Sequence, residues 1–251
     1  MSHADPPQVA GLRLRWHEFR HPDPGAFRPQ EPHPAAPGDA GASGTTATDD
    51  RSFGLWVLED PDVLLDLITP EEYEANDERM PYFGAVWPSA ESLVAKLLAG
   101  PRLDGVELLD LGCGLGPCGF AAAARGARVT FMDWEPRALE IVERSVLAQG
   151  RRLADFDLVV ADWRKPPRMG PFDLVIGADV LYEERNAPAV AAFLGGHVKP
   201  GGEAWIGDPG RPHAIRFPAL AQQHGLAFKG SERLPAMKHA IEIALQRYAR
   251  E

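Results

Sequence analysis

Glycines 112, 114 and 116 follow an apolar run in Leu108-Leu109-Asp110-Leu111-Gly112-Cys113-Gly114-Leu115-Gly116-Pro117. They let the chain turn sharply and bring bare backbone against a ligand. Pro117 suits the first turn of a following helix, whose free N–H groups face the same loop. Two cofactor classes compete for such a loop. Gly114, Gly116 and Gly119 also spell G-x-G-x-x-G, with Asp133 lying 19 residues after Gly114, near the dinucleotide spacing. The other class is a methyl donor with an amino-acid moiety, and a purely structural turn is the third reading. Asp110, one residue inside the strand, suits a cationic amine and would repel a pyrophosphate.

Further acids stand at the ends of the next strands. Asp133 can accept two hydroxyl hydrogen bonds from a ribose. Asp162-Trp163 brings a carboxylate and a flat ring to where an adenine would sit, and Trp134 is a second platform. Any one of these acids could be only a helix cap. Three in register lie on the edge where open α/β sheets bind ligands. The fourth strand ends Gly177-Ala178-Asp179-Val180-Leu181-Tyr182. There Ala178 joins the cofactor-binding set, Asp179 could orient an amine nucleophile, and Tyr182 could line its channel. The bland alternative is a cap with a core tyrosine. Trp87, at a helix entrance, could cover a bound cofactor, whereas core packing is the default for Tyr82 and Phe83. Ile206-Gly207-Asp208-Pro209-Gly210-Arg211-Pro212 reads as a rigid turn on the same edge.

The elements that must position these residues alternate. Strands are expected at Val106–Leu111, Ala127–Asp133, Phe156–Asp162, Phe172–Ala178 and Glu203–Asp208. Helices are expected from Ser89, from Pro117 to Arg125, over 136–149 and near 184–198, which implies a parallel sheet covered on both faces. Leu226–Leu234 and Ala240–Tyr248 could pair as an antiparallel hairpin. Residues 55–70 look like a strand and a short helix. Leu12–Trp16 alternates like a strand but is brief, and residues 21–50 are Pro-, Gly- and Ala-rich with one aromatic, Phe27. Such a segment cannot offset the entropy of ordering. The expected division is therefore 1–50 mostly disordered, 51–100 a cap or lid, and 101–251 the cofactor-binding domain.

Composition narrows the partners. With 36 Asp+Glu against 26 Lys+Arg, the net charge of −10 argues against nucleic acid. No apolar run reaches the roughly 20 residues of a membrane span. The start, MSHADPPQ, has no secretory pattern, and the two cysteines fit a reduced protein, so a cytoplasmic location without membrane contact is expected. The eight histidines show no metal spacing, and no Ser-His-Asp pattern or P-loop lysine is found.

Over about residues 55–251 the chain resembles the class I, seven-strand S-adenosylmethionine-dependent methyltransferases. Trp87-Pro88-Ser89, Asp162-Trp163 and Asp179-x-x-Tyr182 look like the protein lysine methyltransferases marked by an Asp-x-x-Tyr motif. The Ile206–Pro212 stretch, with Pro81-Tyr82, is similar to the electron-transfer flavoprotein β-subunit lysine methyltransferases. The resemblance implies a Rossmann-like, doubly wound α/β fold whose seven-stranded sheet is mostly parallel with an antiparallel C-terminal strand. It implies that Asp110, Gly112, Gly114 and Gly116 embrace the methionine part of S-adenosylmethionine and that Asp133 binds its ribose. Asp162 and Trp163 would flank the adenine, and Asp179 and Tyr182 would form the entry for a protein lysine. A small-molecule amine methyltransferase, a non-catalytic S-adenosylmethionine-binding module and a dinucleotide oxidoreductase remain as alternatives. The oxidoreductase is disfavoured by Asp110.

Overall fold

The computed structural model describes residues 8–20, 51–77, 80–236 and 241–251. Gln8–Val9 (β1), Leu12–Arg20 (β2) and Ser52–Leu58 (β3) form a three-stranded antiparallel sheet in that order. This corrects the expectation of disorder up to residue 50 for its first part. Leu12, Leu14 and Phe19 are buried, and β2 pairs along its length with β3, from Leu14 with Leu58 to Arg20 with Ser52. Each such side chain contributes about 1.5–3 kcal/mol on burial, enough to hold a strand that is short by itself. The approach of the two strands is close: a Cβ at Gly54 would stand 2.1 Å from the Trp16 ring. Residues 21–50, expected to be a linker, lie outside the described residues.

Two short helices follow, Val63–Leu67 (α1) and Pro70–Ala75 (α2), the second closed by a reciprocal pair of bonds between Thr69 and Glu72. Pro88 opens Pro88–Ala99 (α3). From there strands and helices alternate: Glu107–Leu111 (β4), Pro117–Ala124 (α4), Arg128–Asp133 (β5), Pro136–Ala148 (α5), Phe156–Val160 (β6) and Phe172–Ala178 (β7). Asn186–His197 (α6), Val198–Asp208 (β8), Pro212–Gln223 (α7), Leu226–Pro235 (β9) and Glu242–Arg250 (β10) complete the chain.

The main sheet has seven strands in the order β6-β5-β4-β7-β8-β10-β9. β6, β5, β4, β7 and β8 are parallel, while β10 runs antiparallel to both neighbours, as expected for the C-terminal hairpin. Successive side chains of a strand point to opposite faces. Leu108, Phe131, Leu174 and Ile176 thus enter one core with α3, α4 and α5, and Leu109, Met132 and Val175 enter the other with α6 and α7. The small sheet adds an outer layer to the first core: β3 lies against α4 and α5, and the Trp56 N–H donates to Ser145 Oγ at 2.9 Å.

α7 has no counterpart among the expected helices. Pro218 sits inside it, and an interior proline leaves the carbonyl four residues earlier without its N–H. Here that carbonyl is Ala214's, and the Gln246 side-chain amide donates to it from β10 at 3.1 Å. The replacement donor comes from a distant strand. Among the described residues no helix is long and apolar enough to cross a membrane.

Candidate active site

The carboxyl ends of β4, β5, β7 and β8 meet the entrance of α3 around a cavity of about 370 Å³. Gly112 and Gly114 form its floor, both with positive φ, +62° and +52°. A Cβ at Gly112 would come within 2.8 Å of the Trp163 ring, and one at Gly114 within 3.1 Å of the Phe83 carbonyl oxygen. Glycine is therefore required twice over, by conformation and by space. Gly116 has a different place. It is the residue before α4, packed over Phe131 and outside the cavity wall.

Two buried carboxylates shape the glycine loop and face the cavity. Asp110 Oδ2 accepts the Gly119 N–H at 2.7 Å. Asp133 Oδ2 accepts the Gly114 N–H at 2.8 Å, and its Oδ1 accepts the Glu135 N–H at 3.0 Å. Burial, aided by the Asp133 charge, pushes the Asp110 carboxyl up to about 7. Burial likewise pushes Asp133 up to about 6, against the hydrogen bonds that favour its charged form. The indoles of Trp134 and Trp163 are on the wall with Ala178.

Asp162 stands elsewhere. It is not on the cavity wall but takes the Arg164 guanidinium on both oxygens, with Nε and Nη2 on Oδ2 at 2.9 and 2.8 Å. Arg164 also reaches Asp77, which pairs with Arg185 at 3.1 Å. The Asp162 side chain is thus held by Arg164 two residues on, not placed on the cavity wall where an adenine role was expected of it.

Asp179 follows β7 in the left-handed conformation, φ +58°, with its N–H donating to the Gly207 carbonyl at 2.9 Å. Its Oδ2 accepts the Ser89 N–H at 3.0 Å, so it closes the N-terminus of α3 from across the fold. Its Oδ1 accepts from Arg211 Nη1, which is 3.3 Å from Asp208 Oδ2. Tyr182 lines the same wall. Its ring meets that of Tyr82 edge to face at 5.7 Å, and Tyr82 meets Trp87 in the same way at 5.8 Å. Tyr82 is 39% and Trp87 37% exposed, so these rings form the mouth of the cavity. Core packing, the default for Tyr82, is corrected, while Phe83 is both buried and on the wall.

Arg211 is the residue that strand-end reasoning missed. A cation in a turn rich in Pro and Gly reads as solvent-facing. The available signal was Asp208 three residues earlier on the edge that carries the other acids.

The arrangement fits a donor with cationic, hydroxyl-bearing and flat parts: carboxylates at Asp110 and Asp133, glycine backbone between them, two indoles beside them. A methyltransferase domain profile matches residues 108–202. The electron transfer flavoprotein beta subunit lysine methyltransferase of Xenopus laevis is 30% identical over 198 residues, which cover 73% of this chain and 79% of that protein. Protein N-lysine methyltransferase METTL21A of Danio rerio is 35% identical over 124 residues, covering 47% of this chain and 56% of that one. Magnesium protoporphyrin IX methyltransferase from Synechocystis, solved with S-adenosylmethionine bound, shares the fold with a TM-score of 0.53 at 20% identity, over 65% of this chain and 78% of its own. The chain belongs to the S-adenosylmethionine-dependent methyltransferases, in the family of the electron transfer flavoprotein β-subunit lysine methyltransferases.

Proposed function

We propose that this methyltransferase acts on a lysine side chain of a protein, and that the β subunit of electron transfer flavoprotein is its first candidate substrate. One observation carries the reading. Tyr82, Trp87 and Tyr182 leave a solvent-open, aromatic-walled mouth to the cavity, on whose wall Asp179 stands together with the donor-side residues. An apolar channel ending in polar groups suits a lysine, whose stem is hydrocarbon and whose tip is an amine. The acidic balance of the chain favours a Lys-bearing partner. The two buried free thiols support a reducing, cytoplasmic setting.

When bound, S-adenosylmethionine supplies a methyl group on a sulfonium centre, activated toward an attacking lone pair. The chain's own residues hold, align and exclude water. Asp110 would face the donor's ammonium, Asp133 its ribose hydroxyls, and Trp134 and Trp163 its base. Asp179, fixed by Ser89 and Arg211, sets the position of the amine rather than acting as a free base. The test is mass spectrometry of purified electron transfer flavoprotein incubated with the chain and S-adenosylmethionine. Added methyl mass on a β-subunit lysine is expected. No added mass, with donor binding confirmed separately, discards this flavoprotein and turns the search to other lysine-bearing proteins and small amines.

Donor binding should depend on pH through Asp110. Its carboxyl rises from 3.8 in the unfolded chain to about 7 in the fold, so between these values the folded state holds a proton that the unfolded state has released. This group's contribution to the stability of the donor-free protein therefore falls as pH rises through that window. Attraction to the donor's ammonium moves the other way, because only the ionised carboxylate supplies it. The donor's dissociation constant is expected to rise by up to roughly tenfold per pH unit below 7. Calorimetry at pH 6 in two buffers of different ionisation enthalpy should also register a proton released on binding. A constant affinity from pH 6 to pH 8 would remove Asp110 from this role.

A further inference from the structure

Arg211 is placed with more care than a solvent-facing turn residue needs. Asp208 is fully buried, and its Oδ1 accepts the Gly210 and Arg211 N–H groups at 2.7 and 2.6 Å. This pair of hydrogen bonds from the backbone fixes the turn after β8 and aims the guanidinium back along the sheet edge. Nη1 lands on Asp179 Oδ1 and 3.3 Å from Asp208 Oδ2, on the cavity wall. The other oxygen of Asp179 is already taken by the N-terminus of α3. The carboxylate at the head of the proposed lysine channel thus meets a fixed hydrogen-bond donor on each oxygen, a backbone N–H on one and the Arg211 cation on the other.

A carboxylate left open at this point would bind the substrate as an ammonium ion, and an ammonium ion has no lone pair for the methyl group. A cation held beside an amine disfavours its protonated form. We propose that Arg211 is a positioning residue that occupies the cation seat of Asp179, so that the substrate lysine is accepted as the free amine. This rests on the lysine reading above. The lysine's proton leaves to water through the mouth before attack, and the freed lone pair then makes the N–C bond as the bond from carbon to sulfur breaks, its electron pair staying on sulfur.

The other ionisable groups around the seat do not replace Arg211. Asp110 and Asp133 are tied to backbone N–H groups of the glycine loop and its flanks on the donor side. Glu183, after β7, pairs with Arg185 at 2.5 Å. The Cys113 and Cys118 thiols are pushed up by burial and stay neutral. The phenols of Tyr82 and Tyr182 complete the channel.

The experiment follows methylation of one lysine-bearing protein substrate from pH 6 to 10, with the wild-type chain, Arg211→Gln and Arg211→Lys. Donor binding is measured calorimetrically for all three. Arg211→Gln is expected to lower KM, because the ammonium now finds an open carboxylate. It should also cut kcat about tenfold at pH 7 and move the half-maximal pH of kcat up by about one unit. Arg211→Lys should restore much of the midpoint, and donor affinity should stay within about threefold throughout. An unmoved midpoint in Arg211→Gln overturns the inference, whatever happens to kcat. A tenfold loss of donor affinity overturns it too, placing Arg211 on the donor's carboxylate. Should Arg211→Gln fail to fold, the wild-type chain decides, with the target lysine replaced by its thioether analogue, whose amine is more acidic. At saturating substrate and pH 7, kcat values for the two amines within about twofold support the inference, and a tenfold kcat advantage for the analogue overturns it. If the wild-type chain methylates only small amines and no protein lysine, the lysine reading falls and this inference with it.

Discussion

Replacing Asp179 with alanine is expected to lower turnover by about 10²–10³-fold while leaving the donor's dissociation constant within about threefold. Asp179 touches the channel, the entrance of α3 and Arg211 together, so its loss frees three things at once. The Ser89 N–H loses its acceptor, Arg211 keeps only the longer contact to Asp208, and alanine must adopt φ +58°. A buried donor without a partner costs about 1–3 kcal/mol, so the melting temperature should fall as well. Asp179→Asn separates the causes. Asparagine tolerates the left-handed conformation and can still accept from Ser89, but it cannot form the ion pair. Its amide nitrogen then faces Arg211, donor against donor, so its stability should lie between alanine and wild type, with turnover still reduced at least about tenfold because the ion pair is lost. Single-turnover methylation and donor calorimetry on both variants read these effects. A matching loss of donor affinity would place Asp179 in the donor site and sink its assignment to the lysine channel.

The contrast between Asp110 and Asp162 shows where strand-end reasoning works and where it stops. The glycine loop and Asp110 were legible because one short window holds both the turn and the helix that follows it: Gly119, whose N–H meets Asp110, is nine residues away. Asp133 was legible by register, since β4 and β5 are neighbours and their ends coincide. Asp133 is the last residue of β5, whereas β6 ends at Val160, so Asp162 falls two residues past its strand and its side chain turns to Arg164. Nothing in periodicity ranks a local arginine against a ligand, and the local partner wins because its bidentate contact needs no ordering of distant chain.

Long-range features were the ones hidden. The alternation of Leu12 to Trp16 could be seen, but β2 is stable through its pairing with β3 across a segment rich in Pro and Gly. Only the fold shows which strand lies opposite. The α7 helix was masked by Pro218, whose orphaned carbonyl is satisfied by Gln246 from the last strand. Arg211 belongs with these. Its function as a partner of Asp179 depends on β7 and β8 lying side by side, and that adjacency brings two loops together that are 32 residues apart in sequence.

Asp133→Ala should give the opposite signature to Asp179→Ala: donor affinity weaker by about 10²-fold, with kcat at saturating donor reduced by less than about tenfold. Asp133 does two jobs with one carboxylate. It ties the Gly114 N–H at 2.8 Å and the Glu135 N–H at 3.0 Å, which sets the shape of the loop, and it faces the cavity with lone pairs left for hydroxyl donors. Alanine strands both N–H groups and removes the acceptor, so shape and chemistry of the donor site fail together. Each stranded N–H costs about 1–3 kcal/mol, in the same range as the loss expected in binding. Asp133→Asn keeps one oxygen but sets an amide N–H against one of the two backbone donors, so its donor affinity should lie nearer alanine than wild type. Because burial raises Asp133 only to about 6, the comparison belongs at pH 8, where the wild-type carboxylate is ionised. Calorimetry with S-adenosylmethionine and its demethylated product then tests the placement. Both should weaken alike, since the ribose is common to them. A loss confined to the methylated form would mean that Asp133 senses the sulfonium instead.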